Sequence, residues 1–208
     1  MSIKKILKDV FYSFYWLIFV LVFLDQLTKG IALKHLADNR IVHIIGDFLT
    51  LKLERNTGAA FSILQGNMVF LAILSAVAGA AMIAYRIYAR KRLDLAQKII
   101  FAIIIAGTFG NFIDRAFYSL ITGEEGVVDF ISFTFGTWSF PTFNVADMCL
   151  TLGVIAYVVL IYIEDKIARN KRDVPLIIEG DVKETVVSEE SVNEKDINEV
   201  KEDEVERK

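Results

Sequence analysis

Cysteine, histidine and proline are scarce in this chain of 208 residues, which holds one cysteine, two histidines and two prolines. Because Cys149 is the only cysteine, no intramolecular disulfide can form and no metal cluster can be built on thiolates. His35 and His43 lack the spacing of a metal site, and the sequence contains no G-x-S-x-G motif. We therefore expect no metal site, and we expect Cys149 to be a small buried side chain.

Hydrophobic residues make up 54% of the chain, more than an ordinary soluble domain of this size contains. A membrane protein is therefore expected. The charge is uneven, because residues 174–208 carry a net charge of -7 whereas residues 1–173 carry +4. The acidic segment contains no aromatic residue, so we predict that it is a disordered, catalytically silent cytoplasmic tail after a membrane domain of residues 1–173.

Four apolar runs reach the length of about 20 residues that a helix needs to cross a membrane. They span residues 10–27, 68–85, 99–117 and 145–163. The first run follows three lysines, as in a signal peptide, but its core is aromatic and no small-residue cleavage site follows. We therefore predict an all-α membrane bundle of four transmembrane helices.

The basic residues that flank these runs predict the orientation of the bundle. Twelve lie before the first run, between the second and third, and after the fourth, whereas the two other connections hold five. Both termini are therefore predicted to be cytoplasmic, with residues 30–67 and 116–144 on the outer side. These outer connections are rich in β-branched and aromatic residues and contain Gly-Asp and Gly-Thr breaks, which predicts a small β element near residues 40–62 and 127–142.

The unusual polar residues of the four runs fall at their outer ends. They belong to DQLTK (25–29), ERNTGAAF (54–61), GNFIDR (110–115) and FNVAD (143–147). Because ionisable groups are costly at membrane depth, their collection on one side indicates a functional site. A transporter or channel component, the non-enzymatic alternative, would carry polar residues throughout the membrane depth.

Two aspartates in the stretch GVVDFISFTFGTWSFPTFNVAD (126–147) are candidates for proton transfer. Asp129 has apolar neighbours and no cation close in sequence, so desolvation is expected to raise its pKa. Asp147 follows Asn144, a good N-cap, and the start of a helix favours its ionised form. Such a pair is typical of an aspartic dyad that shares one proton and activates water. Taken singly, Asp147 could be only a capping residue, and Asp129 could point to water.

The other outer acidic residues suit different roles. Asp25 has Lys29 one helical turn away and Asp114 precedes Arg115, so both carboxylates are expected to stay ionised and to serve as anchors. Acidic residues in polar loop sequence are expected to be solvated, namely Asp38, Glu124 and Glu125.

Amides lie at the same depth as these carboxylates and could bind a peptide backbone or orient the dyad. They are Asn56, Asn111 and Asn144. The glycines of GTFGN (107–111) end a membrane helix instead of starting one, so they are expected to permit close helix packing and not to bind phosphate.

Five segments, in this order and spacing, resemble the motif set of the bacterial lipoprotein signal peptidases, also called signal peptidase II. They are DQLTK (25–29), ERNTGAAFSIL (54–64), GNFIDR (110–115), VVDFI (127–131) and FNVAD (143–147). The resemblance covers about residues 10–165. It implies four membrane helices with an extracytoplasmic β-cradle, and an aspartic peptidase that uses no cofactor.

The resemblance also implies a substrate and a site. The substrate is a prolipoprotein whose signal peptide is removed just before a diacylglyceryl-modified cysteine, at the bacterial cytoplasmic (inner) membrane. A monomer working among membrane lipids, without nucleic acid, is expected. The catalytic pair falls on Asp129 and Asp147. Positions near the substrate cleft are Asn56, Gly58, Asn111, Arg115 and Asn144, and supporting positions are Asp25, Lys29 and Asp114.

Two features depart from the family's pattern. Members commonly have a Gly-Gly pair where this chain has Ala106 and Gly107, which concerns helix packing. The tail after Arg172 is also longer and more acidic than is usual. An inactive scaffold of the same fold, which would bind lipoproteins without cutting them, is an alternative that the intact aspartate pair argues against.

Overall fold

Four helices form the body of the protein. The structure is a computed structural model that describes residues 11–58, 66–118 and 124–173, with side chains up to residue 170. The helices are α1 (Tyr15–His35), α2 (Met68–Tyr88), α3 (Leu95–Ile113) and α4 (Val145–Asp173). All four are long and apolar enough to cross a membrane, so the predicted four-helix fold class is confirmed. The basic N-terminal residues and the acidic tail lie outside the described residues.

The first helix begins later and extends further than hydropathy predicts. Its apolar run stops at residue 27, yet α1 continues to His35. The reason is that the charges around the end of the run are not exposed, since Asp25 and Lys29 are 1% and 2% accessible. They form an ion pair with an N–O distance of 2.8 Å, one helical turn apart. A buried and neutralised pair therefore lets the helix continue through the polar motif.

Glycines bring α3 close to its neighbours, as their positions in the sequence predicted. A Cβ atom at Gly107 would lie 2.5 Å from the Ala146 carbonyl oxygen of α4. One at Gly110 would lie 2.6 Å from Asp25 Oδ2 of α1. Neither position can hold a side chain without moving a neighbour, so α1 and α4 approach the backbone of α3. Ala106, which stands where family members commonly have the first glycine of a Gly-Gly pair, is buried.

The segment between α1 and α2 and the segment between α3 and α4 each contribute two strands. Together they form one four-stranded antiparallel sheet in the order β1-β2-β3-β4. The strands are β1 (Val42–Ile45), β2 (Leu49–Asn56), β3 (Val127–Phe135) and β4 (Trp138–Ser139). Gly46 and Gly136, both with positive φ, begin the two tight turns, so the predicted Gly-Asp and Gly-Thr breaks are confirmed. Of the β segment predicted near residues 40–62, residues 59–62 lie outside the described part of the chain.

The sheet packs against the last turns of α1. Ala32, Leu36 and Phe130 form a buried cluster, and the mid-strand residues Leu51 and Ile131 pack on it. The segment before α4 is held to β3, because the Phe143 N–H donates to the Ile131 carbonyl at 3.0 Å. The chain divides into compact units at Met1–Ile161 and Tyr162–Lys208, and every residue of the site described below belongs to the first.

Candidate active site

Asp129 is a buried carboxyl group in β3. Its exposed fraction is 2%, and Oδ1 accepts a hydrogen bond from Asn144 Nδ2 at 2.6 Å. The Asn56 side chain also hydrogen-bonds to it. Burial, reinforced by the nearby charge of Asp147, raises the pKa of Asp129 to about 7. The direction is the one its apolar neighbours predicted, and it leaves the group able to hold a proton near neutral pH.

Asp147 lies in the first turn of α4, which Asn144 caps. The Asp147 N–H donates to Asn144 Oδ1 at 2.9 Å, and the Asn144 N–H donates to Asp147 Oδ2 at 3.2 Å. Asp147 Oδ1 accepts a further bond from Asn111 Nδ2 at 2.7 Å. Both carboxylate oxygens therefore accept hydrogen bonds from N–H donors. The Asp147 carboxylate therefore takes part in capping the helix through Oδ2, and it also contacts Asn111 of α3 through Oδ1.

The orientations of two side-chain amides are fixed by groups that can only donate. Asn144 Oδ1 must face the backbone N–H of Asp147, so its NH₂ group points to Asp129. Asn111 Oδ1 accepts a hydrogen bond from Lys29 Nζ at 3.1 Å, so its NH₂ group points to Asp147. The amides also contact each other, with Asn144 Nδ2 at 3.2 Å from Asn111 Oδ1. A continuous chain of hydrogen bonds therefore joins the two aspartates.

A buried cluster of three charged residues contacts this series of hydrogen bonds through Asn111. Lys29 Nζ lies 2.8 Å from Asp25 and 3.0 Å from Asp114, and all three side chains are almost inaccessible. The expected Asp25–Lys29 pair is confirmed, but the cation that pairs with Asp114 is Lys29 and not the adjacent Arg115. The reason is geometric: Asp114 starts a π-helical turn, Asp114–Tyr118, and its carboxylate points toward α1.

Gln26 completes the cluster, although no role was predicted for it from the sequence. Its Nε2 donates to Asp114 Oδ1 at 3.0 Å and to the Gly110 carbonyl at 3.1 Å. It also approaches Asp25 Oδ2 at 3.2 Å. The only sequence signal for Gln26 is its place beside Asp25, in a motif where a polar residue at membrane depth needs a partner.

Arg115 extends toward the cavity and forms two long hydrogen bonds with described residues. Nη1 lies 3.4 Å from Ser75 Oγ and Nη2 lies 3.3 Å from the Gly58 carbonyl oxygen. Its charge acts on Asp147, Asp114 and Asp129. Asn56, on the same wall, accepts a bond from the Gly58 N–H at 3.0 Å. A guanidinium group that lines the cavity can donate hydrogen bonds to a carbonyl or another polar group of a ligand.

A cavity of about 650 Å³ opens beside Asp147. Its polar side contains Asn56, Asn111, Arg115 and Asp147. Its apolar side was not predicted, and consists of Val127, Phe140, Pro141, Phe143, Met148, Leu150 and Leu152, with Thr142 and Thr151. Leu150 and Thr151 follow Asp147 by three and four residues, so helical spacing was the signal that could have found them. The cavity can accept a ligand with a polar centre and an apolar extension.

The remaining predicted residues lie apart from this constellation. Asp38 and Glu125 are exposed, as predicted. Glu124 is exposed, as predicted, and it also forms an ion pair with Arg55 at 2.5 Å. β2 and β3 are neighbouring strands, so the sheet brings Arg55 close to the segment that leads into β3. Cys149 is buried, as expected for a small apolar side chain.

Two carboxyl groups coupled by amides, one of them buried and the other beside a partly apolar cavity, are typical of an aspartic peptidase. Here they lie among four membrane-length helices. The comparison with known families agrees. The model described as signal peptidase (SPase) II matches residues 17–163. The chain therefore belongs to the signal peptidase II family, and it is a peptidase.

Similar curated proteins carry the name lipoprotein signal peptidase. One from Bacillus pumilus is 36% identical over 154 residues, which is 74% of this chain and 95% of the relative. One from Listeria monocytogenes is 36% identical over 155 residues, with the same two coverages. One from Geobacillus kaustophilus is 34% identical over 146 residues, which is 69% of this chain and 88% of that relative.

Two solved structures, both of bacterial membrane enzymes, share the fold. One has a TM-score of 0.62 at 31% identity and covers 81% of this chain and 94% of its own. The other has a TM-score of 0.57 at 32% identity and covers 74% of this chain and 92% of its own. The family, the relatives and these structures together support a bacterial membrane protein.

Proposed function

We propose that this protein is an aspartic endopeptidase that cleaves the signal peptide from diacylglyceryl-modified prolipoproteins, just before the lipid-modified cysteine. The relatives' name gives the substrate class. The observation that carries the catalytic assignment is the position of Asn144, whose side chain contacts Asp129 at 2.6 Å and the backbone of Asp147 at 2.9 Å. One rigid amide thus sets the spacing of the two carboxyl groups.

Asp129 serves as the acid and Asp147 as the base. Asp129 is the group whose pKa is raised to about 7, so it holds the shared proton. Asp147 lines the cavity and accepts hydrogen bonds at both oxygens, and these bonds orient it for the role of base. Two carboxyl groups kept in opposite protonation states are what acid and base catalysis on a single peptide bond requires.

The reaction needs no covalent intermediate. Asp147 takes a proton from a water molecule while the water oxygen attacks the carbonyl carbon of the scissile peptide. Asp129 donates its proton to the carbonyl oxygen, giving a neutral tetrahedral diol. Collapse of this diol breaks the C–N bond, with a proton passed from the pair to the leaving amine, which is the new N-terminus of the lipid-modified cysteine. Asn111 and Asn144 hold the two carboxyl groups in place throughout.

The cavity suits a substrate that carries both a peptide and lipid chains. Arg115 and Asn56 line the polar side, where they can hold the peptide backbone or the polar part of the lipid. The apolar side runs along α4 through Met148 and Leu152, both well exposed on the helix surface. A cavity wall that merges with an exposed helix face permits lateral entry from the bilayer, with acyl chains remaining among the helices.

The site lies on the extracytoplasmic side in this proposal, and both termini are cytoplasmic. The support is the excess of Lys and Arg in the connections at the opposite end of the bundle. The enzyme acts as a monomer in the bacterial cytoplasmic membrane, with residues 1–173 as the peptidase domain and residues 174–208 as a cytoplasmic tail. Labelling of single cysteines placed at residues 44 and 92 of a Cys149→Ala protein, in intact cells, tests this topology.

Substitution of each aspartate by asparagine tests the dyad. Asp129→Asn and Asp147→Asn keep the size of the side chain but remove its ability to exchange a proton. Purified protein is given a precursor with and without the diacylglyceryl group on its cysteine. We expect both variants to lose cleavage while keeping the thermal unfolding midpoint close to that of the parent.

Asp38→Asn is the matched control, because it makes the same chemical change at an exposed loop aspartate. It should cleave at the parental rate. Normal cleavage by either dyad variant would defeat the catalytic assignment. Equal cleavage of the lipid-modified and unmodified precursors would defeat the proposed substrate specificity while leaving the dyad intact.

A further inference from the structure

Arg115, the cation that lines the cavity, lies in an unusual stretch of backbone. α3 ends in a π-helical turn of five residues, Asp114–Tyr118, and Arg115 is its second residue. Such turns are rare and are frequently found at functional sites. The two hydrogen bonds of the Arg115 side chain are long, at 3.4 and 3.3 Å, and its buried Nε has no acceptor among the described residues. These contacts hold the guanidinium only weakly, so its position depends on the turn that carries it.

Different residues hold the two ends of this turn. At its start, the Asp114 carboxylate lies 3.0 Å from Lys29 Nζ of the buried cluster. At its end, the Tyr118 hydroxyl accepts a hydrogen bond from Arg55 Nη2 at 2.6 Å. The Arg55 guanidinium carbon also lies 4.3 Å from the centre of the Tyr118 ring, within the range of a cation–π contact. Arg55 of β2 therefore binds the end of the turn through both the ring and the hydroxyl group of one side chain.

Arg55 is itself fixed between two strands. In the sheet its partner is Val128 of β3, the residue before Asp129. Gly126 has a φ of +118°, and an added Cβ atom there would lie 3.2 Å from Arg55 Cβ, so a glycine is needed where the start of β3 approaches β2. Nη2 also pairs with Glu124 at 2.5 Å. We call the contacts of Arg55 with Tyr118 and Glu124 the Arg55 clamp.

The contact with Tyr118 matters more than the contact with Glu124. The Glu124 side chain is 65% exposed, and ion pairs with an exposed partner contribute little to stability. The Arg55 side chain is only 21% exposed, and a planar guanidinium can lie over a ring as a lysine ammonium cannot. Glu124 therefore orients the guanidinium, whereas Tyr118 connects it to the turn that carries Arg115.

We propose that Arg55 is a positioning residue, which holds the end of the π-helical turn against the sheet and so sets where Arg115 presents its guanidinium to the cavity. Arg55 is not among the residues that line the cavity, whereas Arg115 and Asn56 are. Because Asn56 follows Arg55 directly in β2, the clamp also keeps these two lining residues at a constant separation. The proposal rests on the proposed function, because it concerns the binding of the same substrate.

Loss of the clamp should weaken substrate binding more than it slows the chemical step. The amide hydrogen bonds of the aspartate pair do not involve Arg55, whereas the polar wall of the cavity depends on it. We expect Arg55→Gln to raise KM about tenfold and to lower kcat by less than about threefold. A simple loss of stability would instead reduce the fraction of folded enzyme, which lowers the apparent kcat and leaves KM unchanged.

A double-mutant cycle in the cleavage assay tests whether Arg55 acts through Arg115. KM for the lipid-modified precursor is measured for Arg55→Gln, for Arg115→Gln and for the protein with both substitutions. We expect Arg55→Gln to raise the KM of Arg115→Gln by less than about twofold, because the guanidinium that the clamp positions is already absent. Losses in KM that multiply would overturn the proposal, since they would show that Arg55 acts independently of Arg115.

Two further variants complete the experiment. Tyr118→Phe removes only the hydroxyl group that Arg55 contacts, so it disturbs folding less and should raise KM in the same direction. Arg40→Gln is the matched control, because it removes the same charge from an exposed position in the connection that also contains Arg55. It should leave KM and kcat unchanged. A parental KM in both Arg55→Gln and Tyr118→Phe would overturn the proposal.

Hydrogen–deuterium exchange measures the clamp without cleavage. In the full chain in detergent, Arg55→Gln should accelerate exchange in peptides that cover residues 114–118 and 126–129, relative to the parent and to Arg40→Gln. Equal exchange in all three proteins would contradict the clamp. If the parent does not cleave the precursor and exchange nevertheless changes, the proposed function fails while the clamp stands, so the two failures are distinguishable.

Discussion

Asp25 of α1 accepts a hydrogen bond from the backbone N–H of Ala146 at 2.8 Å, and Ala146 directly precedes Asp147. Asp114 does the same on the other side of the site, since it accepts the N–H of Val128 at 3.1 Å, just before Asp129. Lys29 contacts both carboxylates. The three charged residues thus hold the two chain segments that carry the aspartates at a fixed separation.

Removal of the Lys29 ammonium should disable this arrangement. Lys29→Met leaves two buried carboxylates uncompensated and releases the oxygen of the Asn111 amide, so we expect a loss of roughly 3–5 kcal/mol in the free energy of unfolding. In the fraction that stays folded, kcat should fall at least tenfold. Thermal unfolding and cleavage are measured in the same preparation, with Lys34→Met, an exposed lysine of the same helix, as control. A folded Lys29→Met protein with parental kcat would contradict the assigned role.

The rate of cleavage should decline as the pH rises through about 7. Asp129 has a raised pKa of about 7, so it is protonated and able to donate below that pH and loses its proton above it. The hydrogen bond from Asn56 favours the ionised form, and Asn56→Ala should therefore move the decline to higher pH. The pH profile of kcat/KM measures both effects, and it reports the coupled pair, not one carboxyl alone. A profile that stays level across pH 7 would contradict Asp129 as the acid.

A methyl group at Gly110 should destabilise the protein. The added Cβ atom would lie 2.6 Å from Asp25 Oδ2 and 2.8 Å from the Ala146 Cβ atom, so α1 or α4 must move. We expect Gly110→Ala to cost about 1–3 kcal/mol in the free energy of unfolding. Gly30→Ala is the matched control, because nothing lies within 4 Å of its added Cβ atom. The control should raise stability by roughly 0.5–1 kcal/mol, since alanine favours the helix. Equal effects at both positions would contradict the close packing.

Filling the cavity should weaken substrate binding. Thr151 lines the cavity on the same face of α4 as Asp147, and Thr151→Trp puts a large ring into that space. KM should rise at least tenfold, with a smaller change in kcat, because the aspartates are not touched. Val154→Trp, on the exposed surface of the same helix, is the control and should leave KM unchanged. An unchanged KM in Thr151→Trp would show that substrate does not use this cavity.

The sequence predicted the elements of the fold well, because hydropathy and turn chemistry act locally. The four spans, the Gly46 and Gly136 turns, and the Asn144 cap all follow from residues near one another in the chain. Asp25 and Lys29, one turn apart, were recognised as a pair for the same reason. The end of α1 was predicted too early, since hydropathy cannot tell a buried, neutralised charge from an exposed one.

Contacts between distant segments could not be read in this way. The pairing of Asp114 with Lys29 depends on how α3 meets α1, and the pairing of Glu124 with Arg55 depends on the register of two strands. Gln26 and the apolar side of the cavity were missed for the same reason. Asp129 and Asp147 could be proposed as a pair because each has an unusual local environment in the sequence. The chain of amide hydrogen bonds that joins them depends on the fold and could not be predicted.

The most direct test of the acid and base pair is a double-mutant cycle in the cleavage assay. If Asp129 and Asp147 act as one unit, Asp129→Asn and Asp147→Asn should each lower kcat by roughly 10²–10⁴. The variant with both substitutions should then be no slower than the slower single variant, because either change already removes proton transfer through the pair. Losses that multiply in the double variant, or a single variant that cleaves at the parental rate, would contradict a shared catalytic role.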